Sequence, residues 1–183
     1  MRRLALGITA MLLPLATAQL VTAPAADAAP NAVTLYYDAS DLPDYQAETT
    51  QAVANWNGVV SNVQLAAGGS ATISLHEISG GGSYTQTDGH GHGDIYIDTQ
   101  QVAEGFDPTR IIAHEFGHNL GLPDDYTGPC TEVMSGHGPG TSCKNAIPDA
   151  QEAAQVDQNF ANGLATARAH RLTVDRDVTT AAH

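Results

Sequence analysis

The stretch His114-Glu115-Phe116-Gly117-His118-Asn119-Leu120-Gly121-Leu122-Pro123-Asp124 decides how this chain is read. On a helix, residues four apart lie one turn apart on the same face, so His114 and His118 can converge on one metal ion. Glu115 sits about 100° further round the same helix, close to the metal but angled past it. That placement suits a carboxylate that takes a proton from zinc-bound water instead of ligating the zinc. Gly121 can adopt a positive φ and end the helix abruptly. The chain then turns back and offers Asp124, or its neighbour Asp125, as a third protein ligand. Three protein ligands with one position left open is the arrangement of a catalytic zinc site, since structural sites are closed. Two histidines flanking a glutamate on one turn would be poor core design, because buried polar groups need partners.

Upstream, Asp107 is placed to cap this helix and Pro108 to occupy its first position. Ile112, Phe116 and Leu120 form its apolar stripe, and Ala113 and Gly117 let neighbours approach closely. A long Gly- and Pro-rich loop follows as far as Pro148, and loops of that length are usually functional or disordered. Pro148 and Asp149 start a last helix, with Ala153, Val156 and Phe160 inward and Gly163 at its end. Toward the N-terminus, Ala32–Tyr37 is strand-like, and Pro43 opens an amphipathic helix. Its stripe runs through Tyr45, Thr49, Ala52, Val53, Trp56, Val59 and Val60, with Trp56 read as core. Val63–Ala66, Ala71–Glu77 and Gly93–Asp98 are further strands. Ser79–Gly93 reads as an irregular glycine-rich loop. Its histidines, His90 and His92, raise a second metal site, but two histidines two apart are a weak hint of one, and a loop of tight turns is favoured.

The net charge is −13 over 183 residues, and from Asn31 to Gly163 the only cations are Arg110 and Lys144. So acidic a surface repels nucleic acid and anionic lipid, while some of its carboxylates could hold calcium. Residues 1–29 have the form of a secretory signal: Arg2 and Arg3, an apolar run from Leu4, and a small-x-small site at Ala26-Asp27-Ala28. The interval from that site to Ala32 leaves little room for a pro-segment. Once exported, Cys130 and Cys143, the only cysteines, are expected to pair. Closing that loop would stabilise the fold by roughly 3 kcal/mol on a chain-entropy estimate. Residues 30–163 then form one domain, and 164–183 show no sustained pattern and read as a disordered tail.

The spacing His114-Glu115-x-x-His118-x-x-Gly121-x-x-Asp124 resembles the extended zinc signature of the metzincin metalloproteases, with Asp where most have a third His. That substitution resembles the snapalysin family of small secreted bacterial neutral proteases. The likeness extends through Tyr126, Gly128-Pro129-Cys130, Met134-Ser135-Gly136, Cys143 and the closing helix, and so covers roughly Ala32–Gly163. It implies an α+β, metzincin-like single domain: a small mixed twisted sheet with a backing helix, an active-site helix, a Met-turn loop and a C-terminal helix. It also implies a monomeric zinc endopeptidase that hydrolyses internal peptide bonds of proteins by Glu-assisted attack of zinc-bound water, preferring an aromatic residue after the scissile bond. His114, His118 and Asp124 would ligate zinc, Glu115 would be the general base, and Met134 would form the apolar floor of the Met-turn. Tyr126 would hydrogen-bond the developing oxyanion or donate a proton, and Cys130 and Cys143 would form the disulfide. Gly93–Asp98 would be the edge strand on which substrate pairs. Calcium is implied as well, with Asp107 and Thr109 at the matching place, although an N-cap role explains Asp107 without an ion. The tail after Gly163 has no counterpart in the compact family domain.

Overall fold

A computed structural model describes residues 32–161 together with the backbone of 173–176. The segment 1–29, read as a signal, lies outside the described residues. The first strand, β1 (Val33–Asp41), alternates as the sequence does, with Leu35, Tyr37 and Ala39 buried and Thr34, Tyr36 and Asp38 exposed. A single 3₁₀ turn at Pro43–Tyr45 leads into α1 (Gln46–Asn57). This helix is the crossover that lets β2 (Val63–Ala67) lie parallel to β1, because parallel neighbours cannot be joined by a tight turn. Of its expected stripe, Thr49, Ala52, Val53 and Trp56 face inward, whereas Tyr45 lies in the turn before the helix with Pro43, and Val59 and Val60 lie beyond its end. Trp56 is fully buried, and its indole N–H donates to the Ala113 carbonyl at 2.8 Å, so its polar atom is satisfied inside the core.

Next come β3 (Ile73–Ile78), β4 (Tyr84–Thr87) and β5 (Gly93–Asp98), then the short α2 (Thr99–Ala103) and α3 (Pro108–Asn119), the helix of the opening motif. A one-turn 3₁₀ helix at Val133–Ser135, α4 (Ala150–Asn159) and β6 (Thr173–Arg176) complete the order. The strands form a single sheet in the order β2-β1-β3-β5-β4-β6. Its first four strands are parallel, β4 runs antiparallel to β5, and β6 runs antiparallel to β4. The architecture is therefore mixed α+β, as expected. No helix among the described residues is long and apolar enough to cross a membrane.

Three departures from the sequence reading concern β4 and its partners. Ser79–Gly93 is not irregular throughout: its middle, Tyr-Thr-Gln-Thr, is β4, with Thr85 and Thr87 inward. Glycine-rich turns on both sides obscure a four-residue strand whose inward positions are polar. Consequently Gly93–Asp98 is an interior strand between β3 and β4, not the edge strand expected. In the tail, expected to lack structure, Thr173–Arg176 pairs with β4, while its other residues lie outside those described.

At Gly93, β5 packs closely against both β4 and the end of α3. A Cβ there would lie 2.9 Å from both Asn119 Oδ1 and Thr87 Cα, and closer still to the Gln86 carbonyl. Backbone atoms cannot give way as a flexible side chain can. Gly93→Ala is expected to cost about 2 kcal/mol by overpacking, seen as a lower denaturant midpoint with unchanged slope. An unaltered midpoint would show that β4 shifts freely at this point.

Candidate active site

The motif helix begins as the sequence dictates. Asp107 caps it, its carboxylate accepting the Arg110 N–H at 3.0 Å, and Pro108 takes the first position. From Arg110 to Asn119 every residue is buried, not only the apolar stripe, because α1, the sheet and the Val133–Ser135 turn enclose the helix. Gly121 ends it at φ 87°, and a Cβ there would meet Asn159 Nδ2 at 2.7 Å and the Gly89 carbonyl at 2.9 Å. Asn159 of α4 donates to the Leu120 carbonyl at 2.9 Å, completing the helix C-terminus.

The turn brings Asp124 back beside the histidines. Its Oδ1 lies 3.0 Å from His114 Nε2 and 3.6 Å from His118 Nε2, and the two Nε2 atoms are 3.2 Å apart. Among the described residues, these three form the one group of His, Cys, Asp or Glu with ligand atoms close enough to share an ion. Donors about 2.0–2.1 Å from a tetrahedral zinc lie roughly 3.4 Å from one another, so the triangle has the size zinc requires. The tautomers agree. His114 Nδ1 faces the Val133 carbonyl at 3.1 Å and His118 Nδ1 the Leu122 carbonyl at 2.9 Å. A carbonyl only accepts, so each Nδ1 carries the proton and each Nε2 presents its lone pair toward the common point. Two lone pairs directed at each other across 3.2 Å suit a shared cation.

Of the two aspartates left open by the sequence, Asp124 is the one that joins the histidines. Asp125 is exposed; its carboxylate accepts the Thr127 hydroxyl at 2.8 Å, and its N–H donates to the Met134 carbonyl at 2.8 Å. Glu115 is completely buried, and its Oε2 accepts the Thr85 hydroxyl at 2.7 Å. Tyr126 lies across Gly136 from His114: a Cβ on Gly136 would be 3.0 Å from the tyrosine ring and 3.1 Å from His114 Cε1. The Tyr126 ring also packs on His137, with centroids 4.6 Å apart. Met134 puts its sulfur against Gly117, between the two histidines on the helix, where only a glycine leaves room for it.

Several supporting residues have little individual signal in the sequence. Glu152, buried at the start of α4, accepts the N–H groups of Met134 at 2.7 Å, Val133 at 3.1 Å and Asp149 at 2.7 Å. It thereby pins the methionine turn; the Asp149-x-x-Glu152 capping box was its available signal. Arg110 gathers the loop from the other side through five donor contacts. Cys130 and Cys143 are disulfide-bonded, as expected. Partial desolvation, then the charges of Asp125, Asp149 and Glu152, hold the Glu132 carboxyl above the usual carboxylate range.

The histidines of the glycine-rich loop do not converge. His92 pairs with Asp88 at 3.1 Å, whereas the His90 ring leans on Phe160, with centroids 5.7 Å apart. Calcium at Asp107 and Thr109 gains no support, since capping occupies an Asp107 oxygen. A cavity of about 300 Å³ opens beside His118, lined also by Thr85, Thr87, His90, Leu122 and Asn159 among others.

Fold and site together define the class: a zinc metalloprotease. The chain belongs to the Streptomyces extracellular neutral proteinase (M7) family, whose model matches residues 32–163. It is 54% identical over 132 residues to an extracellular small neutral protease of Streptomyces caespitosus, covering 72% of this chain and 99% of that protein. It is 48% identical over 139 residues to the protein of the same description from Streptomyces coelicolor, where the match spans 75% of this chain but 64% of the relative. Among solved structures, archaemetzincin from Methanopyrus kandleri matches with a TM-score of 0.47 at 14% identity, covering 73% of this chain and 98% of that one. A hatching-enzyme zinc-protease from the medaka fish Oryzias latipes matches with a TM-score of 0.40 at 19% identity, covering 54% and 48%.

Proposed function

We propose that the chain is a secreted, monomeric endopeptidase in which His114, His118 and Asp124 hold zinc and Glu115 is the general base. The observation that carries this reading is the triangle of ligand atoms, 3.0, 3.2 and 3.6 Å on its sides, with Glu115 on the same helix. Zinc held there would supply Lewis acidity, acidifying a water and polarising the scissile carbonyl. Glu115 takes the water's proton and later delivers it to the leaving amine nitrogen. Thr85 keeps the Glu115 carboxylate in one orientation through the hydrogen bond to Oε2. The Tyr126 phenol donates to the carbonyl oxygen as negative charge develops on it.

An extended peptide would lie along β4, whose inward Thr85 touches the general base, and pair with its backbone. A preference for an aromatic residue after the scissile bond follows from the family resemblance alone. The extracellular setting is supported by the form of residues 1–29 and by the descriptions of the Streptomyces relatives.

Metal analysis combined with an internally quenched peptide assay tests this reading. About one zinc per chain is expected, with cleavage abolished by a chelator and restored by zinc. Chelator-insensitive cleavage, or a chain that binds no zinc, would remove it.

A further inference from the structure

Resting on that reading, we infer that the chain's own C-terminal segment is a substrate-like ligand of its cleft: Thr173–Arg176 occupies the edge of β4 on which an extended peptide would pair. Three observations carry this. The first is the pairing itself, Thr87 with Thr173, Gln86 with Val174, Thr85 with Asp175 and Tyr84 with Arg176, all antiparallel. β4 has two edges, one taken by β5 and the other by β6, so a peptide can add to this strand only by displacing β6. The register places Asp175 opposite Thr85, the residue whose hydroxyl holds Glu115, so one residue of β4 links the segment's position to the general base.

The second observation is that the segment lies outside the catalytic domain. The family match ends at residue 163, and 132 residues of this chain account for 99% of the caespitosus relative. The third is charge. Residues 31–163 carry seventeen Asp and Glu against Arg110 and Lys144 alone, whereas the stretch from 164 holds Arg168, Arg171 and Arg176 against Asp175 and Asp177. A cationic segment tethered to an acidic domain is attracted to it, and tethering holds it at an effective concentration on the order of millimolar. If the strand pairs with a dissociation constant of about 0.1 mM, it raises the apparent KM for peptides roughly tenfold and leaves kcat unchanged, as a competitive ligand does.

The test uses the full exported chain with Val174→Pro and Asp175→Pro together, because proline cannot donate to a strand ladder. These positions lie outside the family domain, so the double variant should fold and bind zinc as the wild type does. Two readouts apply: KM and kcat on a short quenched peptide, and amide hydrogen exchange at Tyr84–Thr87. The expected result is a KM about tenfold lower, an unchanged kcat and faster exchange in β4. An unchanged KM, or unchanged β4 exchange, overturns the inference. If neither protein cleaved any peptide, the protease reading would fail, and exchange alone would then decide whether the segment sits on β4.

Discussion

Glu115→Gln is expected to lower turnover by about a thousandfold while leaving the fold and the bound zinc in place. The size follows from the role. A positioned general base contributes between about 10² and 10⁴ in rate, and a thousandfold loss corresponds to roughly 4 kcal/mol in the barrier. Glutamine has the same shape and keeps an oxygen to accept the Thr85 hydroxyl, which lies 2.7 Å from Glu115 Oε2, so the side chain should hold its orientation. It cannot take up a proton. The ligand triangle of His114, His118 and Asp124 does not involve Glu115, so zinc content should equal that of the wild type. Single-turnover cleavage of a quenched peptide and metal analysis on the same preparation make the measurement. Turnover within tenfold of the wild type at full zinc occupancy would rule out Glu115 as the base. Loss of zinc together with activity would mean that Glu115 supports the ligands instead of the chemistry.

The parts of this protein that were legible in its sequence are those in which one local rule acts alone. A cap, a proline, a stripe at helical spacing and a glycine stop specify α3 without reference to any other element. The same is true of α1 and of Leu35 and Tyr37 in β1. β4 was not legible, because its inward residues, Thr85 and Thr87, are polar and buried only by virtue of α3. Thr85 is held there by Glu115, and Thr87 by the Asn119 side chain at 3.0 Å. Nothing within Tyr84–Thr87 announces partners thirty or more residues away. The misplaced edge strand follows from the same cause, since without β4 the interior strand β5 is taken for the last one. Arg110 is a further case. In sequence it is one of two cations in an acidic domain and would be read as solvated, but the fold buries it to 4% exposure.

Arg110→Met is expected to be the most damaging substitution away from the ligands, lowering stability by about 3–5 kcal/mol and weakening zinc binding. The guanidinium donates to the carbonyls of Asn145 at 2.6 Å, Glu132 at 2.9 Å and Gly136 at 3.2 Å, and to the Ser135 hydroxyl at 2.7 Å. Each carbonyl left buried without a donor costs about 1–3 kcal/mol, partly recovered where water can enter. In a domain of this size that corresponds to a melting temperature lower by about 10–15 °C. The effect on zinc follows from what these carbonyls belong to. Those of Glu132 and Gly136 bracket Val133 and Met134, and the Val133 carbonyl is the group that orients His114 through its Nδ1 at 3.1 Å. Loss of such a supporting contact typically costs 10- to 100-fold in metal affinity, so a drop of about tenfold is expected in competition with a chromophoric chelator. Arg110→Lys separates charge from shape: it keeps the cation but replaces the five-donor fork by three donors at a single point. It should recover less than half of the lost stability. Full recovery by lysine would show that the loop needs only a positive charge. A Met variant that melted within about 3 °C of the wild type would show that the Glu152 contacts and the disulfide hold the turn unaided.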